Sequence, residues 1–123
     1  MRLQGILGAT VLTFLSACAA SGPSVEQVES AKARLDVAWL ALAHTRDLAA
    51  ERLDEDARTL SISRLMKLND QLGASGMLVI TSSAVPDLEG FSSAERAILR
   101  VEEEIARIDA EIHRVEQVES PGS

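Results

Sequence analysis

Tyrosine is missing from this chain, and its aromatic side chains amount to one tryptophan and two phenylalanines. With so few flat side chains there is little on which nucleobases or sugar rings could stack. Bases are short as well: 12 Lys and Arg stand against 19 Asp and Glu, a net charge of −7. A chain of that sign is not built to neutralise phosphates, so no nucleic-acid partner is expected. The single cysteine excludes an internal disulfide and a multi-thiolate metal site. No Gly or Pro occurs between Pro23 and Gly73, which leaves a long stretch free of helix breakers. There is no Gly-rich phosphate loop, and Ser82-Ser83 and Ser92-Ser93 read as loop and helix cap, not as nucleophiles. No catalytic residue and no small-molecule substrate site is indicated.

What is present begins at the N-terminus. Met1-Arg2 supplies a positive start, Ile6 to Leu15 an apolar run, and Ser16-Ala17 the small residues of a cleavage site. That run is too short to cross a bilayer, which takes about 20 apolar residues in a helix. It reads as an export signal that closes on this small-residue cleavage site. Removing it takes away only Arg2 among the charged residues, so the mature chain is more acidic still.

The sequence Leu15-Ser16-Ala17-Cys18 closely resembles the lipobox of bacterial lipoprotein precursors. The resemblance implies a diacylglyceryl group on the Cys18 sulfur, cleavage before Cys18, and acylation of the new amine. Two or three acyl chains hold a protein at a membrane firmly, where one is marginal. Ala19, not Asp, follows the cysteine. By resemblance to Gram-negative lipoproteins this implies sorting to the outer membrane, with the domain facing the periplasm. Residues 18–24 form a short lipidated linker.

From Val25 to Leu72 the apolar residues follow helical spacing. Val25, Val28, Leu35, Trp39, Leu42, Ala49, Leu53, Ala57 and Leu60 form a stripe, continued by Leu65, Leu68 and Leu72. Ser24 with Gln27 makes a capping box at its start, and Gly73 offers a C′ stop. Asp54 could cap a second helix, but the uninterrupted pattern predicts one helix over 25–72. A loop is expected over 73–91, because Met77-Leu78-Val79-Ile80-Thr81 favours strand without having a strand partner. Ser92 with Glu95 predicts the start of a second helix over 92–119, and residues 120–123 form a tail.

In that last helix Ile98, Val101, Ile105, Ile108, Ile112 and Val115 step alternately by three and four, a heptad seam. Acids flank it at Glu95, Glu102, Asp109 and Glu116 on one side and at Glu104 and Glu111 on the other. Such a helix repels a parallel copy of itself and favours a basic partner. Arg46, Arg52, Arg58, Arg64 and Lys67 supply one within the chain. The expected fold is therefore all-α, an antiparallel helical hairpin with a coiled-coil seam. A three-helix bundle is the alternative if the first helix breaks near Asp54.

A hairpin of unequal arms leaves something uncovered. At about 1.5 Å per residue the first helix would run roughly 70 Å and the second roughly 40 Å. Val37, Trp39 and Leu40, in a segment apolar on nearly every side, would then lack an intrachain partner. Met77, Leu78, Val79 and Ile80 would stand at the far tip of the hairpin. Both sets are candidate protein-binding surfaces, for a partner or for self-association. His44, Asp47 and Glu51 share a helical face, and Asp109 and His113 are four apart. Both read as solvated charge, so neither metal nor cofactor is expected.

Two further resemblances bear on function. A lipidated cysteine followed by apolar-periodic helix is similar in plan to the Braun-type murein lipoproteins, although this chain ends Pro121-Gly122-Ser123 without their terminal lysine. Leu72 to Thr81 and the helix after it are faintly similar to the opening of OmpA-like peptidoglycan-binding domains, but the later ligand-binding segment has no counterpart. The chain thus reads as a non-enzymatic envelope scaffold, adaptor or tether anchored at Cys18. The alternatives are a phage-type, spanin-like lysis lipoprotein and a degenerate peptidoglycan-associated lipoprotein.

Overall fold

The computed structural model describes residues 22–119. Residues 1–21, which include the expected cleavage and lipidation positions Ala17 and Cys18, and residues 120–123 lie outside the described residues. The described chain is all-α, with three helices and no strand: α1 (Val25–Arg52), α2 (Glu55–Ala84) and α3 (Leu88–Glu119). Each packs against both others. At about 1.5 Å per residue all three run roughly 40–50 Å, so each can cover its neighbours along its whole length.

The single helix expected over 25–72 is divided at Leu53-Asp54. Ser24 opens α1 through the expected capping box, its side chain accepting from the Gln27 amide while the Gln27 side chain accepts from the Ser24 amide. At the other end Leu53 turns extended, with φ −95° and ψ 150°, and its amide donates to the Ala49 carbonyl at 3.2 Å. Asp54 then caps α2, its carboxylate accepting from the Ala57 amide at 2.9 Å. Glu55 and Asp56 add negative charge where the helix dipole is positive. Leu53 is buried under the turn, and Arg58 donates to its carbonyl at 3.0 Å. An aspartate cap thus outweighs an uninterrupted helical pattern because it satisfies donors that would otherwise face solvent alone.

The loop expected over 73–91 is also corrected. Residues 73–84 continue α2, Gly73 does not end it, and only Val85, Pro86 and Asp87 separate α2 from α3. The buried positions of α2 explain this. Ser61, Leu65, Leu68, Leu72, Ser75, Val79 and Ser82 step by four and three without a break. The β-favouring residues Val79 and Ile80 are held helical because Val79 belongs to that seam. Hydroxyls within the stretch find partners one turn back: Ser75 donates to the Gln71 carbonyl, Thr81 to Met77 and Ser82 to Leu78.

The last helix starts four residues before the expected Ser92. Asp87 forms the entry: its carboxylate accepts from the Gly90 amide at 3.0 Å and its carbonyl from the Phe91 amide at 3.0 Å. The seam lengthens accordingly. Phe91 and Ala94, one heptad before Ile98 and Val101, are fully buried with Ile98, Val101 and Ile108, and Ile105 and Ile112 are nearly so. On α1 the matching seam is Val28, Ala31, Leu35, Ala38, Leu42, Thr45 and Ala49. Val25, Trp39 and Leu60, expected in the core stripe, are exposed instead.

Direction follows from specific contacts. A Cβ built on Gly22 would lie 2.6 Å from the Pro86 Cβ, so the chain entering α1 passes directly beside the α2–α3 turn. Arg34 on α1 meets Glu102 on α3. The first and third helices therefore run the same way, and α2 runs back between their ends. The Leu53-Asp54 turn lies at the opposite end from Gly22.

Candidate interaction surface

With three seams turned inward, the residues left outside define the surface. Val37 is 64% exposed and Leu40 72%. They sit three apart on α1, on the side away from the buried Ala38 and Leu42. Trp39, also exposed, lies toward α2 and lines a groove of about 260 Å³ with Leu42, Ala43, Met66 and Asn69. On the other flank, Val37, Ala38, Ala41, Ile105 and Ala106 line a groove between α1 and α3 of about 430 Å³. Its rim carries His44, Glu102, Asp109 and His113. The first candidate set, Val37, Trp39 and Leu40, thus forms an apolar ridge with a groove on each side.

The second set is split by its helix. Met77 and Ile80 are exposed, Leu78 is half-buried and Val79 is fully buried. Val79 is a core residue, unavailable to a partner, because it falls on the seam between Leu72 and Ser82. The tip position also fails. Gly76 packs beside Leu35, with 3.8 Å between its would-be Cβ and Leu35 Cδ1. Residues 77–80 therefore lie along the early part of α1, toward its N-terminal end and not at a far tip.

Ion pairs fix the helices' rotation. The expected base–acid match between α2 and α3 occurs at Arg64, which donates to Glu104 at 2.6 Å and to Glu111 at 2.8 Å. Glu104 also pairs with Arg107 one turn on. Arg34 adds a pair that the sequence reading did not contain, donating twice to Glu102. A hairpin could not have produced it, since the start of α1 would have had no acidic helix beside it. Hydrogen bonding to Glu102 raises the Arg34 pKa, against partial desolvation, and bonding to Glu104 and Glu111 raises that of Arg64. Arg58 is turned to the Leu53 carbonyl instead of α3, and its buried Nε has no hydrogen-bond partner among the described residues.

Asp109 and His113 lie 3.5 Å apart as an exposed pair four residues apart. Among the described residues no group of three or more His, Cys, Asp or Glu is placed to hold a metal ion. Among the same residues no helix is long and apolar enough to cross a membrane.

Met66 is the surface residue the sequence reading missed. Its neighbour Leu65 belongs to the α2 seam, which puts Met66 outside it and beside Trp39. A scan of protein-family models, a search of curated proteins and a search of solved structures each found no match to this chain.

Proposed function

We propose that this chain is a lipoprotein of the bacterial outer membrane, anchored through Cys18, whose helical domain acts in the periplasm as a non-enzymatic scaffold or adaptor. The observation that carries the reading is Leu15-Ser16-Ala17-Cys18 at the end of an export-type leader. The rest of the molecule is compatible in form. Pro23 and Ser24 lead straight into α1, so the domain is short-tethered to the anchor. As an up-down-up coiled-coil bundle it is a stiff body about 45 Å long by helix rise. Its ridge of Val37, Trp39 and Leu40 is the surface available for a protein partner.

The test is Cys18→Ser in the full chain. Labelling with a radioactive or alkyne-tagged fatty acid should vanish, and the protein should move from the membrane to the soluble fraction. Label retained in the variant would refute the anchor.

A further inference from the structure

The two ends of the bundle differ in chemistry. At the end where Gly22 meets Pro86, each of the three helices begins or stops on an exposed apolar residue. Val25 opens α1 and is 78% exposed, Val85 closes α2 and is 73% exposed, and Leu88 opens α3 and is 39% exposed. Folding leaves Val25 and Val85 largely uncovered and Leu88 partly so. The opposite end differs in turning only polar residues outward at the α1–α2 turn, Glu51, Arg52, Asp54, Glu55 and Asp56 with Leu53 buried among them, and Arg114 lies near the end of α3.

Chain length decides what can reach the apolar end. Cys18 precedes Gly22 by four residues, and an extended chain spans at most about 3.6 Å per residue. The tether is then no longer than about 14 Å. It also leaves the bundle at a fixed place, because Gly22 lies against Pro86, next in sequence to Val85. A side chain on Gly22 would not fit this approach. With acyl chains on Cys18, the tether holds the lipid surface within about 14 Å of Gly22, at the end of the bundle that carries Val25, Val85 and Leu88.

We propose that this end of the bundle is a membrane-seating surface: Val25, Val85 and Leu88 enter the interfacial region of the bilayer that holds the Cys18 lipid. The proposal rests on lipidation at Cys18 and adds to it an orientation, with the helices standing up from the membrane. Charge selects the kind of surface. Glu26, Glu29, Asp87 and Glu89 surround the three apolar residues and no base lies among them, so a zwitterionic surface suits this end better than an anionic one. Seated this way, the α1–α2 turn and the end of α3 point away from the membrane, and the Val37–Leu40 ridge stands at mid-height.

The experiment uses the full lipidated chain in phosphatidylcholine vesicles. Cys18 is the only cysteine and is blocked by lipid, so Val85→Cys, Leu88→Cys or Asp56→Cys each introduces a single free thiol for a nitroxide label. The three positions are exposed, and an unchanged melting temperature verifies each variant. Dissolved oxygen should relax the labels at positions 85 and 88 more than a water-soluble nickel complex does, with the reverse at position 56. Replacing part of the lipid with phosphatidylglycerol should reduce the protection. Equal nickel access at all three positions, in protein whose intact mass shows lipid on Cys18, would overturn the seating and leave the anchor standing. A free Cys18 thiol would overturn both. Stronger protection on phosphatidylglycerol would overturn the seating by apolar contact.

Discussion

Val79 offers a sharp test of the fold, because a loop and a buried helix predict opposite outcomes there. The side chain is fully buried, while Met77 and Ile80 on the same turn are exposed. Val79→Ala removes two methyl groups, and each buried carbon contributes about 0.8 kcal/mol. A residual cavity adds to that, and the better helix propensity of alanine takes back about half a kcal/mol. The expected loss is about 2 kcal/mol, which in a domain of this size lowers Tm by about 8–16 °C. Ile80→Ala and Met77→Ala should each change stability by less than about 0.5 kcal/mol, as exposed substitutions do. Urea unfolding followed by circular dichroism measures all three. A Val79→Ala variant as stable as the parent, or an Ile80→Ala variant equally damaged, would refute the assignment of residues 73–84 to α2.

Other outcomes follow from the same geometry. Asp54→Ala removes the cap of α2 and should cost about 1 kcal/mol, with Asp54→Asn recovering most of it; equal effects of the two would argue against the cap. Arg64→Ala breaks two partly exposed pairs and should cost about 1 kcal/mol at low salt and less in 1 M salt; an undiminished loss in salt would count against the ion pairs. A base whose folded pKa is raised stabilises below its unfolded pKa and loses that contribution only as pH rises through the folded value. For Arg34 and Arg64 that window lies above the ordinary arginine pKa, so a titration from pH 7 to 10 should show no stability change assignable to them. Gly22→Val should free the chain entering α1 from Pro86, read as faster amide exchange near residues 23–26 with little change in Tm.

Much of the third helix was legible because its seam is written in isoleucine and valine: every residue from Ile98 to Ile112 placed there is buried. Its upstream limit is not legible, because Ser92 and Glu95 have capping-box spacing, whereas Asp87 holds the cap and Phe91 joins the core. The seams of α1 and α2 were harder to read. They are filled at Ala31, Ala38, Thr45, Ser61, Ser75 and Ser82, whose small or polar side chains carry little hydrophobic signal although each is buried. Larger residues nearby, Val25, Trp39 and Leu60, drew the apparent stripe away from the true one. The break at Asp54 was visible as a possible cap, but choosing it required knowing that α3 needs two partners of its own length.

For the surface, Val37 and Leu40 stood out because a segment apolar on every side cannot bury all of them against two neighbours. Met77 to Ile80 reads as one unit in the sequence because composition does not reveal register. Once the seam passes through Leu72, Ser75 and Val79, the run divides into buried and exposed members. Arg34 could not be paired from sequence, since its partner depends on α1 and α3 lying side by side in parallel.

The proposal that this helical domain works from a lipid anchor at Cys18 is tested at its root by the intact mass of protein extracted from envelope membranes. An anchor there requires a chain beginning at Cys18, lacking residues 1–17, and heavier than its polypeptide by a diacylglyceryl group and an amide-linked acyl chain. A chain that retains residues 1–17, or one cut elsewhere with an unmodified Cys18 thiol, would contradict it.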